Sequence, residues 1–195
     1  MLDFKKLSLT LLLSCVVSFA WANESILKEK TSLLQDGAMI GYIPVLTPVD
    51  VLKTSNGKAT IKIKGFRLEN YPQMVVRDMK RGELYVEFED EDDANKAFKI
   101  IKKFEDDYGE VWHEVEGEFK IDSKQIAKEP AKLYLNAKKT YERTCLMCHH
   151  LPASTAYTVN QWPQQIESMM EQVALDASTK SLIIKYLQQN ASDAK

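Results

Sequence analysis

The chain is poor in cysteine and histidine, with three of each in 195 residues. So few thiols exclude a disulfide framework, which in a small exported domain needs several cysteines spread along the chain. It also lacks any stripe of basic residues, and its net charge is −2. That removes the electrostatic footprint of a nucleic-acid-binding protein. Beyond the N-terminus there is no long apolar run, so only that end could meet a membrane. No constellation of catalytic carboxylates, serines or histidines stands out between residues 41 and 127, and an enzymatic role is not expected.

The N-terminus has an export layout. Lys5 and Lys6 precede an apolar run from Leu7 to Ala22 that closes on Ala20-Trp21-Ala22, a small-x-small cleavage pattern. The run is shorter than the roughly 20 residues that cross a bilayer comfortably. Residues 1–22 are therefore expected to be a signal peptide cleaved after Ala22, placing the protein in the periplasm. Retention as an anchor with weak membrane association, or lipidation at Cys15, are the alternatives. The apolar Val16-Val17 after Cys15, where a polar tether belongs, speaks against lipidation.

Removal of that leader leaves two cysteines, in Cys145-Leu146-Met147-Cys148-His149. C-x-x-C-H is the attachment motif of a c-type haem: two thioethers hold the porphyrin edge and the histidine takes one axial position on iron. The competing readings are half a zinc site, which needs two more ligands, and a thiol redox pair, which opens a helix after a strand. Here a helical pattern precedes the motif. The expected cofactor is one covalent haem c, with Cys145, Cys148 and His149 as its attachment and proximal ligand. For the opposite face the candidates are Met169, Met170, His150 and His113. His150 adjoins the proximal ligand and His113 lies in the other part of the chain, so a methionine is favoured. Met169, three residues after Ile166, is preferred to Met170, although spacing alone does not separate them. Pro152 or Leu151 could offer a carbonyl to the His149 ring. Trp162 and Tyr157 are read as neighbours of the haem edge, or simply as core aromatics.

Patterning divides the rest. Residues 23–40 read as a flexible N-terminal segment. Between 41 and 127 the alternation in Ala59–Lys64 and Glu83–Phe88 indicates strands, with a turn at Ser55-Asn56-Gly57. Ala94, Ala97, Phe98, Ile101 and Phe104 recur at helical spacing, with Asp92 or Asp93 as N-cap and Gly109 as the stop. Val111–Val115 and Glu118–Ile121 around Glu116-Gly117 read as a hairpin. This predicts a small SH3-like β-rich domain with a helical insertion. From residue 128 to 195, Pro130 opens a helix with Leu133, Tyr134, Ala137 and Tyr141 on one face. Leu182, Ile183, Tyr186 and Leu187 mark another, with Asp176 or Ser178 as cap. The expected fold class is thus α+β with two domains, the second an all-helical monohaem cytochrome c domain. Acids outnumber bases before Ala131, notably at Glu87–Asp93 and Glu105–Asp107, and bases outnumber acids after it. Such runs read first as solvated faces, second as docking patches.

From Gly41 to Lys195 the sequence resembles the C-terminal portion of the pentahaem c-type cytochromes of trimethylamine-N-oxide respiration. The resemblance lies in Tyr141-Glu142-x-x-Cys145-x-x-Cys148-His149-x-x-Pro152, Thr158-x-Asn160-Gln161-Trp162-Pro163, Met169 and Lys185-Tyr186-Leu187-Gln188, with Gly109-x-Val111-Trp112 and Glu116-Gly117 in the β-rich part. It implies Met169 as the ligand methionine and an electron-transfer role in anaerobic respiration. The four further C-x-x-C-H motifs of that family's quinol-oxidising membrane part have no counterpart in these residues. The expectation is a carrier that takes electrons from a separate quinol-oxidising membrane cytochrome and passes them to a periplasmic molybdenum-type reductase for an N-oxide or S-oxide. A haem-based redox-sensing or partner-binding module is the alternative.

Overall fold

The computed structural model describes residues 25–146, 150–170, 173 and 175–195. Its strands are β1 (Ser25–Ile26), β2 (Thr31–Gln35), β3 (Ala38–Ile43), β4 (Pro48–Ser55), β5 (Lys58–Leu68), β6 (Met74–Val76), β7 (Leu84–Phe88), β8 (Phe98–Glu105) and β9 (Val111–Asp122). The helices are α1 (Glu91–Ala97), α2 (Pro130–Cys145), α3 (Trp162–Met170) and α4 (Ala177–Gln189). All pairings are antiparallel, and the sheet runs β1-β4-β5-β6-β7-β3-β2, with β9 along the other edge of β5 and β8 outside β9.

Local chemistry explains the tight connections. Asn56 and Gly57 join β4 to β5 with φ of 51° and 74°, the left-handed pair of a two-residue hairpin. Asp36 and Gly37 do the same between β2 and β3, at 51° and 85°. The sheet curls so that β2, at one end of the path, comes against β9. Its concave face buries Leu27, Leu33, Ile43, Ile61, Ile63, Val75, Val86, Val115 and Phe119, each contributing about 1.5–3 kcal/mol on burial.

The expected fold class, an SH3-like domain followed by an all-helical cytochrome domain, is not what forms. The molecule is β-rich, and α2, α3 and α4 do not close a core by themselves. Their cluster (Ala137, Tyr141, Trp162, Ile166, Ile183, Leu187) also contains Ile26 of β1 and the β3–β4 residues Val45 and Leu46. Three short helices bury too little apolar area alone, and the sheet supplies the missing wall. The stretch 25–40, read as flexible, carries β1, β2 and the start of β3.

Two local expectations also change. The helix foreseen through Phe104 stops at Ala97, capped by Asp90, whose side chain accepts from Asp93 N at 2.8 Å, and not by Asp92 or Asp93. Phe98 then turns extended and packs edge-on against Phe88 and Phe119, so Phe98–Glu105 becomes β8 along β9. Strand pairing here overrides a weak 3.6-residue pattern that contains the β-branched pair Ile100-Ile101. The foreseen hairpin at Glu116-Gly117 is instead the middle of the unbroken β9. Gly117 is there for space: a Cβ would stand 2.8 Å from Ala97 O and 2.9 Å from the Phe98 ring.

Candidate functional site

Pro130 occupies the first turn of α2, where its missing N–H is no loss. Ala137 and Tyr141 are buried on the inner face, and the small Ala137 lies in the core shared with Ile183 and Leu187 of α4. The same helix ends on Cys145, the first cysteine of the motif, with Leu146 N closing onto Glu142 O at 3.1 Å. Cys148 and His149 lie outside the described residues. His150 is exposed.

The chain re-enters at Leu151 and Pro152. The Tyr141 hydroxyl donates to the Pro152 carbonyl at 2.8 Å, so one lone pair of the carbonyl foreseen for His149 is already used. Burial pushes the Tyr141 phenol well above its ordinary pKa, keeping it a donor. Thr158 precedes α3: its carbonyl accepts from Gln161 N and Trp162 N, and the Gln161 side chain accepts from Thr158 N at 3.0 Å. This lock sets Trp162, which is fully buried and donates its indole N–H to Ser154 O at 2.9 Å. Tyr157 stands edge-on to it at 4.9 Å, and Tyr141 at 6.2 Å. Ile166 is buried one turn on, and Met169 is half-buried against the same cluster; Met170 is the last residue of α3. Asp176 caps α4, accepting from Ser178 N and Thr179 N.

The structure therefore gathers Cys145, Leu151, Tyr157, Trp162 and Met169 around one apolar cluster. It does not bring His113 there. That residue is buried in β9, with Nε2 3.4 Å from a Glu69 carboxylate oxygen. A thiol at a helix end and a thioether three residues beyond Ile166 both pack against this hydrophobic cluster. A cysteine thiol can bond covalently to a porphyrin edge and a methionine thioether can ligate its iron, so these two residues fit a c-type haem. Among the described residues no three of His, Cys, Asp and Glu converge as a metal cluster.

Sequence reasoning missed the polar seam between sheet and helices. Glu83, just before β7, is 1% exposed, and Lys185 on α4 is 3% exposed. Lys185 Nζ donates to Glu83 Oε1 at 2.6 Å and to Leu84 O at 2.9 Å. Burial draws the Lys185 ammonium below the usual lysine pKa, and the Glu83 carboxylate opposes that. Gln189 donates to Glu83 Oε1 at 2.7 Å and to Leu46 O at 2.9 Å, and its Oε1 accepts from Tyr134 of α2 at 2.8 Å. Nearby, Asn160 accepts from Gly82 N and donates to Lys80 O, both at 2.7 Å, and Arg77 donates to Ala194 O at 2.7 Å. The available signal was a lysine set among the apolar positions of an amphipathic helix.

Comparison with known proteins points to one class. The chain is distantly similar to bacterial cytochrome c-type proteins. These include the cytochrome c-type protein TorC of Escherichia coli strain K12, 23% identical over 153 residues, covering 78% of this chain and 39% of the relative. The cytochrome c-type protein TorY of Escherichia coli O157:H7 is 22% identical over 165 residues, covering 84% of this chain and 43% of the relative. The chain thus spans about two fifths of the length of the curated relatives it matches. No protein-family model and no solved structure matches it. No helix among the described residues is long and apolar enough to cross a membrane.

Proposed function

We propose that this protein is a periplasmic c-type cytochrome that carries single electrons and is not itself an enzyme. The observation that carries the reading is that Cys145, which opens the C-x-x-C-H motif, and Met169 pack against the same hydrophobic cluster. In this reading Cys145 and Cys148 would hold the haem through thioethers, and His149 and Met169 would be the residues that ligate its iron. The haem c so held supplies a one-electron centre. Trp162 and Tyr157 would shield such a haem from water, and the backbone at Pro152, held by Tyr141, would help orient His149.

A sulfur ligand raises the potential above that of a bis-histidine site, which suits a carrier feeding an oxidised substrate's enzyme. The donor is a quinol-oxidising membrane cytochrome and the acceptor a periplasmic molybdenum reductase of N-oxides or S-oxides. The distant likeness to cytochrome c-type proteins supports the c-type cytochrome reading.

The test is to export the protein in a host that matures c-type cytochromes. The pigment should stay with the polypeptide in acidified organic solvent, and the oxidised protein should show the weak absorption band of methionine–iron bonding. Met169→Ala should abolish that band and open the reduced iron to carbon monoxide. Pigment lost to the solvent defeats the reading; a band that survives Met169→Ala removes that residue from the ligand set.

A further inference from the structure

Resting on the haem reading above, we infer that Glu83, Lys185 and Gln189 are positioning residues that set the spacing between Cys145 and Met169 from the sheet side. The helix that ends on Cys145 and the helix that carries Met169 both pack on α4. The seam fastens α4 to the sheet twice, through Lys185 and Gln189, one turn apart and on one carboxylate. Gln189 also takes the hydroxyl of Tyr134, so α2 is tied into the same node. A displacement of α4 against β7 therefore moves both haem-holding helices.

The energetics favour a geometric role over a stabilising one. A buried ion pair regains about what its desolvation costs, and apolar replacements of similar shape are often neutral or stabilising. Here the accounting is incomplete as well: Glu83 Oε2 accepts no hydrogen bond and only faces Arg77 Nη1 at 3.6 Å. What the pair has that apolar side chains lack is direction. Lys185 Nζ satisfies Glu83 and the Leu84 carbonyl together in only one register of helix on strand.

The experiment uses the haem-loaded full chain and the Glu83→Gln, Lys185→Met double variant, with imidazole as the probe of how readily the distal ligand leaves ferric iron. An external ligand's apparent affinity rises in proportion to the fraction of molecules with the site open. The double variant should bind imidazole about tenfold more tightly than the parent and shift in reduction potential, while its urea midpoint stays near the parent's. An imidazole affinity within about twofold of the parent's overturns the inference. If the double variant yields no folded protein, Gln189→Leu carries the test with the same readout, because it unties Tyr134, Leu46 and the second bond to Glu83 but keeps the Lys185–Glu83 ion pair. A parent that takes up no haem overturns the cytochrome reading and this inference together, whereas a loaded parent matched by its variants sinks this inference alone.

Discussion

Tyr141→Phe separates what the hydroxyl contributes from what the ring contributes. Tyr141 is 3% exposed, donates to Pro152 O at 2.8 Å, and meets Trp162 at 6.2 Å and Tyr186 at 6.4 Å between centroids. Losing the hydroxyl removes one neutral hydrogen bond, about 1 kcal/mol net, and somewhat more where the carbonyl is left without a partner. In a chain of this size that lowers Tm by about 2–4 °C. Tyr141→Leu also removes two ring contacts of about 0.5–1.5 kcal/mol each and leaves a void, for a total of about 3 kcal/mol. Urea unfolding at pH 7 of the haem-loaded proteins measures both. A Phe variant as stable as the parent refutes the claim that Tyr141 pins the chain after the motif. Equal losses for Phe and Leu refute the assignment of most of the energy to the ring. The potential of the Phe variant adds a second reading: a shift places His149 on the same carbonyl, and none leaves that role to Leu151.

Gly117→Ala should lower the urea midpoint by the equivalent of about 1–3 kcal/mol through overpacking against Ala97 O and Phe98; a tolerated alanine would mean the close approach is not real. Hydrogen bonds from Ser178 and Thr179 hold the Asp176 carboxyl well below the usual carboxylate range. Its contribution to stability is therefore complete above its unfolded pKa, about 4, and lost as pH falls through the lower folded value. Asp176→Asn keeps the cap without the titration, so melting temperatures compared at pH 7 and pH 3 should fall less on acidification than the parent's; an equal fall excludes Asp176 as a contributor.

The candidate motif and several element boundaries could be read from the sequence because their signals are local. Cys145 and its neighbours are a contiguous motif, Pro130 marks a helix start by its own geometry, and Asn56-Gly57 specifies its turn. Asp36-Gly37 carries the same turn signal, within a stretch whose composition reads as flexible. What misled was pattern without context. Phe98, Ile101 and Phe104 fit a helical period, and only the partner strand β9 makes the extended form better. Gly117 looked like a turn residue, since nothing in the sequence says which backbone will press on it. The fold class failed for a related reason: the walls of the helical cluster include Ile26, Val45 and Leu46, whose membership depends on tertiary contact. The Glu83–Lys185 pair spans 102 positions, beyond the reach of any local rule.

That separation has a kinetic side. Arg77 reaches Ala194, Arg81 reaches Asp193 at 3.4 Å, and Val159 N is held by the Asp193 side chain at 2.8 Å. Residues in the middle of the chain thus wait for some of its last residues before they find their partners. Contacts so remote in sequence form slowly, so the sheet can assemble while the helices still hang loose beside it. Cys145, at the C-terminal end of α2, sits on the part that such late contacts bring to the sheet.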